Sequence, residues 1–378
     1  MYKKNIEAKG ENSPPANRSL EFYVALRGNA TPKEYIRIGK LIEALGFDRI
    51  YVYDDLMYRP SWPILALIAE HTERIKLGPC VVNGFYSHPA MIAENTVFLD
   101  EVSEGRAVLG LGRGAFFDFL NMDNSEYTTR KGCEEAIQLV KRFFARSDIP
   151  FKGEFFEANE KAVLRWVPPR NDIPLVLGSW NEKMAFMAGK YCNEIQVAES
   201  WNLAFLEQLY TQLQLGAKAN NRTERPYFSI GGMSCISPNE NQAYQRAKRT
   251  MAVYLPYLKG VMSKSGFDVN TEEVKQIEHY SKRGHYEEAS FFISDYMVKT
   301  LSLSGNPEQV VGKLDYLITN LNIHGILFSP PYGTANTIDE NLSLIVDQVI
   351  SKIKLKFGIE SEKPSYRAVS AGANFMNY

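Results

Sequence analysis

Five short clusters bring together residue types that can do chemistry. Asp54-Asp55 sets two carboxylates side by side, and neighbouring like charges raise one pKa, so the pair can bind a polar ring or act as acid or base. A capping or turn pair reads the same way, and in extended chain the two side chains point apart. The stretch from Asn83 to His88 comes next; His88 precedes Pro89 and suits either catalysis or a cap on the following helix. Gly112-Arg113-Gly114, with Asp118 just beyond, lets backbone approach a flat or anionic ligand, and it also reads as a tight turn. Gly178-Ser179-Trp180 offers backbone N–H groups and a hydroxyl at the head of a helix, where hydrogen bonds and the helix dipole favour phosphate. Plain N-capping by Ser179 is the other reading there. The fifth cluster is Ser329 to Gly333.

Each cluster follows a stretch that reads as a strand, which fixes where the clusters meet. Strands are expected over 20–26, 49–53, 75–82, 106–111, 175–177, 195–198, 227–236 and 323–328, with helices between them. The first helix shows the logic: Thr31 is the N-cap, Pro32 and Glu34 follow, apolar residues recur at the helical period, and Gly46 ends it in a left-handed cap. Eight such βα units close a barrel, whereas an open sheet ordinarily stops at five or six, so the expected fold is an α/β (β/α)8 TIM barrel. It spans residues 20–354, between a flexible extension over 1–19 and a polar tail over 355–378. Two insertions are expected. One is a hairpin between residues 150 and 174, after strand four, with its turn near Asn159; the other is a helical lobe over about 239–303, after strand seven. In such a barrel the active site lies past the C-terminal ends of the strands, so the five clusters converge.

The third strand organises the rest. RIKLGPCVVNGFYSHP is apolar on both faces and broken by Gly78-Pro79. A proline removes a ladder donor, so the backbone at Cys80 and Val81 is expected to be irregular, as a bulge or strained peptide facing a ligand, or as an edge kink.

Lys+Arg 43 against Asp+Glu 44 gives a net charge of −1, which argues against a nucleic acid or anionic membrane partner. The cysteines Cys80, Cys133, Cys192 and Cys235 have no metal-ligand or C-x-x-C spacing and read as reduced thiols in a cytoplasmic protein. Neither a signal peptide nor a membrane-spanning run is expected.

Read in order, ALGFDRIYVYDD, ERIKLGPCVVNGFYSHPAMIAENTVFLDEVSEGRAVLGLGRG, IPLVLGSWNEKMAFMAGKYCNEI and SGNPEQVVGKLDYLITNLNIHGILFSPP resemble the bacterial luciferase-like monooxygenase superfamily. Within it, the chain looks like the branch of methylenetetrahydromethanopterin reductase and other deazaflavin-dependent oxidoreductases. The resemblance implies hydride transfer between coenzyme F420 and a small-molecule substrate, with FMN as the alternative cofactor and a non-catalytic flavin-binding barrel as a further alternative. It implies a ring resting on a non-prolyl cis peptide at Cys80-Val81, Asp54 and Asn83 on the ring edge, Arg113, Gly114 and Asp118 along the side chain, and Gly178-Ser179, beside Trp180, at the phosphate. It also implies a homodimer. Two departures stand out: Asp54-Asp55 replaces the Asp-His of many relatives, and Ala115 stands where a sugar-phosphate dehydrogenase branch has an acid. A sugar phosphate is therefore disfavoured, and Asp55, His88 and Tyr86 are left as the nearest proton-transfer candidates.

Overall fold

Strand side chains alternate between two faces, and here the alternation sorts them into two environments. The computed structural model describes residues 20–114, 117–123, 129–331 and 335–359. Expectations for residues 1–19, for Ala115, for Tyr332 and Gly333, and for the tail beyond residue 359 lie outside that range. The strands are β1 (Glu21–Leu26), β2 (Arg49–Val52), β3 (Lys76–Pro79), β4 (Leu109–Gly112), a short pair β5 (Phe151–Lys152) and β6 (Glu157–Ala158), then β7 (Leu175–Gly178), β8 (Glu194–Ala198), β9 (Tyr227–Met233) and β10 (Gly325–Ser329). Phe22, Val24, Ile50, Val52, Ile195 and Val197 point outward into one large apolar core beneath the helices. Each such side chain, fully buried, contributes about 1.5–3 kcal/mol. Tyr23, Ala25, Tyr51, Cys80 and Leu327 point inward and form a separate small cluster.

Eight strands pair in parallel in the order β3-β2-β1-β10-β9-β8-β7-β4. The seam between β3 and β4 is closed by bridges Leu77 to Ala107 and Val82 to Leu111, so the sheet is a barrel with helices between its strands. Five residue steps on one side of that seam face four on the other, which is a one-residue bulge. The extra residue falls where Pro79 lacks an N–H, and the Cys80–Val81 peptide within it is cis.

The helix starts follow the capping chemistry in the chain. Thr31 and Glu34 form a capping box on the helix Pro32–Ala44, and Gly46 follows at φ +79°. Between β9 and the helix Pro307–Asn320 the chain builds helices Glu240–Tyr254, Lys259–Lys264, Glu272–Ser281, Tyr286–Ser290 and Asp295–Leu301. They share their own apolar cluster around Met251, Val261, Ile277 and Val298. Among the described residues no helix is long and apolar enough to cross a membrane.

Several boundaries differ from expectation for local reasons. The hairpin turn lies between Lys152 and Glu157 and not near Asn159, because the Glu135 carboxylate accepts from the N–H groups of Glu154, Phe155 and Phe156 and pins the turn there. β4 starts at Leu109 and not at Arg106, whose guanidinium donates to the carbonyls of Ser103, Ile75, Ala69 and Thr72. The final helices continue past residue 354 to Phe357 and stop at Gly358, φ +63°.

Candidate active site

A cavity of about 470 Å³ lies past the C-terminal ends of the strands. Most of the residues singled out in the sequence meet there. Asp54 and Asp55 reach it from β2, Cys80, Val81, Asn83 and Tyr86 from the bulged segment, Arg113 and Gly114 from β4, and Gly178, Ser179 and Trp180 from β7. His88 does not. It is exposed, its Nδ1 accepts from the Ala90 N–H at 3.1 Å, and it caps the helix Pro89–Val102. Partial desolvation of its ring lowers its pKa. Asp118 falls in a short helical turn over Phe117–Leu120, and its side chain lies outside the described set.

The two carboxylates have different settings. Asp54 Oδ1 accepts from Ser61 Oγ at 2.7 Å and so anchors the head of the helix Ser61–Ala69, whose N-cap Pro60 has no side-chain bond to give. Asp55 Oδ2 stands 3.9 Å from Arg27 Nε. Burial raises the Asp55 pKa; Arg27 opposes this and Asp54 adds to it. Arg27 is itself held between the rings of Tyr58 and Tyr254, at 5.1 and 4.6 Å.

Asn83 serves the loop. Its Oδ1 accepts from the N–H groups of Phe85 and Tyr86 at 2.7 and 3.2 Å, and its Nδ2 donates to the Arg113 carbonyl. It thereby ties the bulged segment to the β4 turn. Gly114, at φ +76°, must be glycine there, since a Cβ would meet Asn83 Nδ2 at 2.9 Å. Tyr86 stacks on Phe117 with ring centroids 4.2 Å apart. Cys80 is buried, and that pushes its thiol pKa up to about 12, which makes it a packing residue and not a nucleophile.

Ser179 lines the cavity but is not the N-cap of the helix that follows. The helix starts two residues later than that cap requires, at Glu182, and its N-cap is Asn181, whose Oδ1 accepts from Lys183 and Met184 N–H. The Ser179 N–H bonds Gln196 O at 3.2 Å, and its Oγ accepts from Asn181 N–H at 3.1 Å. The backbone donors at this helix head are thus largely taken. Trp180 Nε1 donates to the Ala198 carbonyl, fixing the indole at the rim. Lys264 from the helical lobe faces this wall and lies 3.5 Å from Glu182 Oε1.

The sequence reading missed Gln196, Lys264 and Val261, which line the cavity together with Tyr257 of the inserted helical segment. For Gln196 a signal existed: Glu194 and Gln196 alternate with Ile195 and Val197, which marks polar inward positions. For Lys264 and Val261 there was none, because a helical sequence does not announce which of its side chains turn toward a cavity it covers.

Beneath the cavity the barrel interior is polar where most such barrels carry branched apolar layers. Arg49 and Glu194, 4% and 2% exposed, are 2.7 Å apart, and Arg49 also donates to Tyr51 Oη at 2.6 Å and lies 4.2 Å from the Tyr23 ring centroid.

Gly112 and Gly178 lack the Cβ that would strike Val81 at 2.4 and 2.7 Å, so the Val81 side chain nests over both glycines at the cavity wall. The bulge, the barrel and the site at its mouth define a luciferase-like α/β-barrel oxidoreductase. Residues 14–324 match the family described as luciferase-like monooxygenase, and the chain belongs to that family. Among its relatives is the 5,10-methylenetetrahydromethanopterin reductase of Methanopyrus kandleri, 25% identical over 352 residues, covering 89% of this chain and 99% of that one. The F420-dependent glucose-6-phosphate dehydrogenase of Amycolatopsis mediterranei is 22% identical over 206 residues, 51% of this chain and 61% of that one. The solved structure of the coenzyme F420 dependent tetrahydromethanopterin reductase from Methanopyrus kandleri superposes with a TM-score of 0.76 at 23% identity, over 88% of this chain and 99% of that chain.

Proposed function

We propose that this protein is an oxidoreductase that holds a deazaflavin, coenzyme F420, in the cavity and serves hydride transfer to or from a small organic substrate. The observation that carries the proposal is the apolar shelf at Val81, nested over Gly112 and Gly178 and facing a cavity large enough for a ring and a small reactant. The relatives named as F420-dependent support the choice of cofactor. When bound, the deazaflavin supplies or accepts the hydride. The chain's residues do the remainder. Cys80 and Val81 carry one face of the ring, Tyr86 and Trp180 close its sides, and Tyr257 and Val261 cover the mouth against water. Ser179, Arg113 and Lys264 face the anionic tail. Asp55, raised by burial and moderated by Arg27, holds or releases the proton that accompanies the hydride. Ala115, standing where the sugar-phosphate branch has an acid, makes a sugar phosphate a poor choice of substrate.

FMN is the second reading, favoured by the family's monooxygenase members, since the same shelf accepts an isoalloxazine. The test is direct titration of the purified protein with each cofactor, read by fluorescence. Selective binding of F420, and reoxidation of reduced F420 with a candidate substrate, support the first reading. Retention of yellow FMN without F420 binding transfers the assignment to FMN, and binding of both without turnover of any substrate points to a passive carrier.

A further inference from the structure

The helical lobe leaves the barrel at Met233, the last residue of β9, and returns through residues 302–305. The two stems are bonded to each other, Leu303 N–H donating to the Met233 carbonyl at 2.8 Å and Gly305 N–H to the Cys235 carbonyl at 3.1 Å, so they form one root. Each stem is also tied to the barrel by an ionisable side chain. Glu199, just past β8, turns back at φ +55° and lays its carboxyl beside Gly232, where a Cβ would meet Glu199 Cδ at 2.6 Å. Its Oε1 accepts from Met233 N–H at 2.8 Å, while its Oε2 is buried and has no hydrogen-bond partner among the described residues. Lys313, on the helix Pro307–Asn320, donates from Nζ to the carbonyls of Lys299 and Ser302 at 2.5 and 2.8 Å and stands 5.1 Å from the Trp201 ring centroid. Glu199 and Lys313 feel each other's charge across the root. The Cys235 thiol, which feels Glu199 and Arg246, is pushed up to about 12 by burial and stays neutral. Other charges on the surrounding elements pair elsewhere: Lys299 with Glu240, Lys248 with Asp295, and Asp315 with Lys356.

We propose that Glu199 and Lys313 are a proton-operated latch on the lobe: together they fasten its root to the barrel, and a change in their protonation frees the lobe from the cavity mouth that Tyr257, Val261 and Lys264 cover. The latch concerns the lobe and not its occupant, so it stands whichever ring the cavity takes. Desolvation raises the Glu199 carboxyl from 4.5 to about 8 against the pull of the Met233 N–H and Lys313, and lowers Lys313 from 10.5 to about 7 against the pull of Glu199. A carboxyl raised in the folded state contributes stability below its unfolded pKa and loses it as pH rises through the folded one. A lysine lowered in the folded state contributes stability above its unfolded pKa and loses it as pH falls through the folded one. The latch is therefore weakest between about pH 7 and 8, where a released root holds a solvated carboxylate and a solvated ammonium, and it tightens on either side.

Hydrogen exchange at the stem amides of the ligand-free full chain tests this. Protection of the Leu303 and Gly305 N–H groups, corrected for the intrinsic pH dependence of exchange, is expected to fall about tenfold between about pH 5.5 and 7 and to recover about tenfold between about pH 8 and 9.5. Glu199→Gln keeps an acceptor for Met233 N–H and is expected to lose the fall; Lys313→Met is expected to lose the recovery. Should one variant fail to fold, the other still tests its own limb of the profile. A wild type flat across both ranges, or variants that keep the wild-type profile, overturns the latch. Stem amides as protected as those of Val24 and Ile50 in the sheet at every pH also overturn it, because the root would then open only when the whole chain unfolds.

Discussion

Gly178 and Val81 are fitted to each other: a Cβ on Gly178 would stand 2.7 Å from Val81 Cγ1, closer than real side chains approach. Gly112 meets the same side chain from β4 at 2.4 Å. The bulge can turn Val81 inward only because β4 and the strand beyond it, β7, carry no side chain at that level. Gly178→Ala is therefore expected to push Val81 into the cavity. Overpacking of this kind destabilises by about 1–3 kcal/mol, while cofactor affinity should drop at least about tenfold. Thermal unfolding and F420 or FMN titration read the two effects separately, and undiminished binding in Gly178→Ala rules out the Val81 shelf as the ring seat.

At the rim, Ser179→Asp places a carboxylate beside the proposed phosphate position. Because Asn181 already caps the helix, the substitution adds charge without removing the cap. Binding of FMN is expected to weaken about tenfold at low salt and riboflavin, which has no phosphate, to be unaffected. An equal loss for both would show that Ser179 touches the ring and not the tail.

Under the cavity floor, the Arg49–Glu194 pair is too buried for either partner to stand alone. Arg49→Met should leave Glu194 uncompensated and lower stability by about 3–5 kcal/mol, and Arg49→Met with Glu194→Leu should regain much of that. Urea unfolding of the two single variants and the double variant gives the coupling directly. A double variant as unstable as the sum of the singles would mean that the two side chains act independently.

The hairpin after β4 has a measurable acid sensitivity. Burial opposes ionisation of Glu135, but the N–H groups of Glu154, Phe155 and Phe156, together with Lys131, outweigh it and hold the pKa below the ordinary 4.5. A carboxylate depressed in the folded state contributes stability that is present above its unfolded pKa and lost as pH falls through the folded one. Glu135→Gln is expected to lower stability by about 2–3 kcal/mol at pH 7 and to flatten the decline below pH 4.5 seen in the wild type. Limited proteolysis should cut the variant first between Lys152 and Glu157.

Much of this molecule was legible in the chain. Thr31, Pro32, Glu34 and Gly46 fix the ends of the first helix through bonds made within a few residues, so local chemistry determined them. The repeated βα alternation carried the barrel, and Gly78-Pro79 marked where the third strand must lose its ladder, because a missing N–H is a property of the residue itself. What the sequence left undecided were contacts between residues far apart along it. Whether His88 caps or catalyses depended on where the helix Pro89–Val102 begins relative to the cavity, and the register of β7 with β8 put Gln196 beside Gly178. Glu135 moved the hairpin turn by reaching across nineteen residues to Glu154. Lys264 and Tyr257 reached the cavity only when the lobe packed over the strand ends. Local hydrogen-bonding and steric rules act over a few residues and can be read from their order, whereas the site is closed by packing between distant segments, and only the assembled core sets those distances.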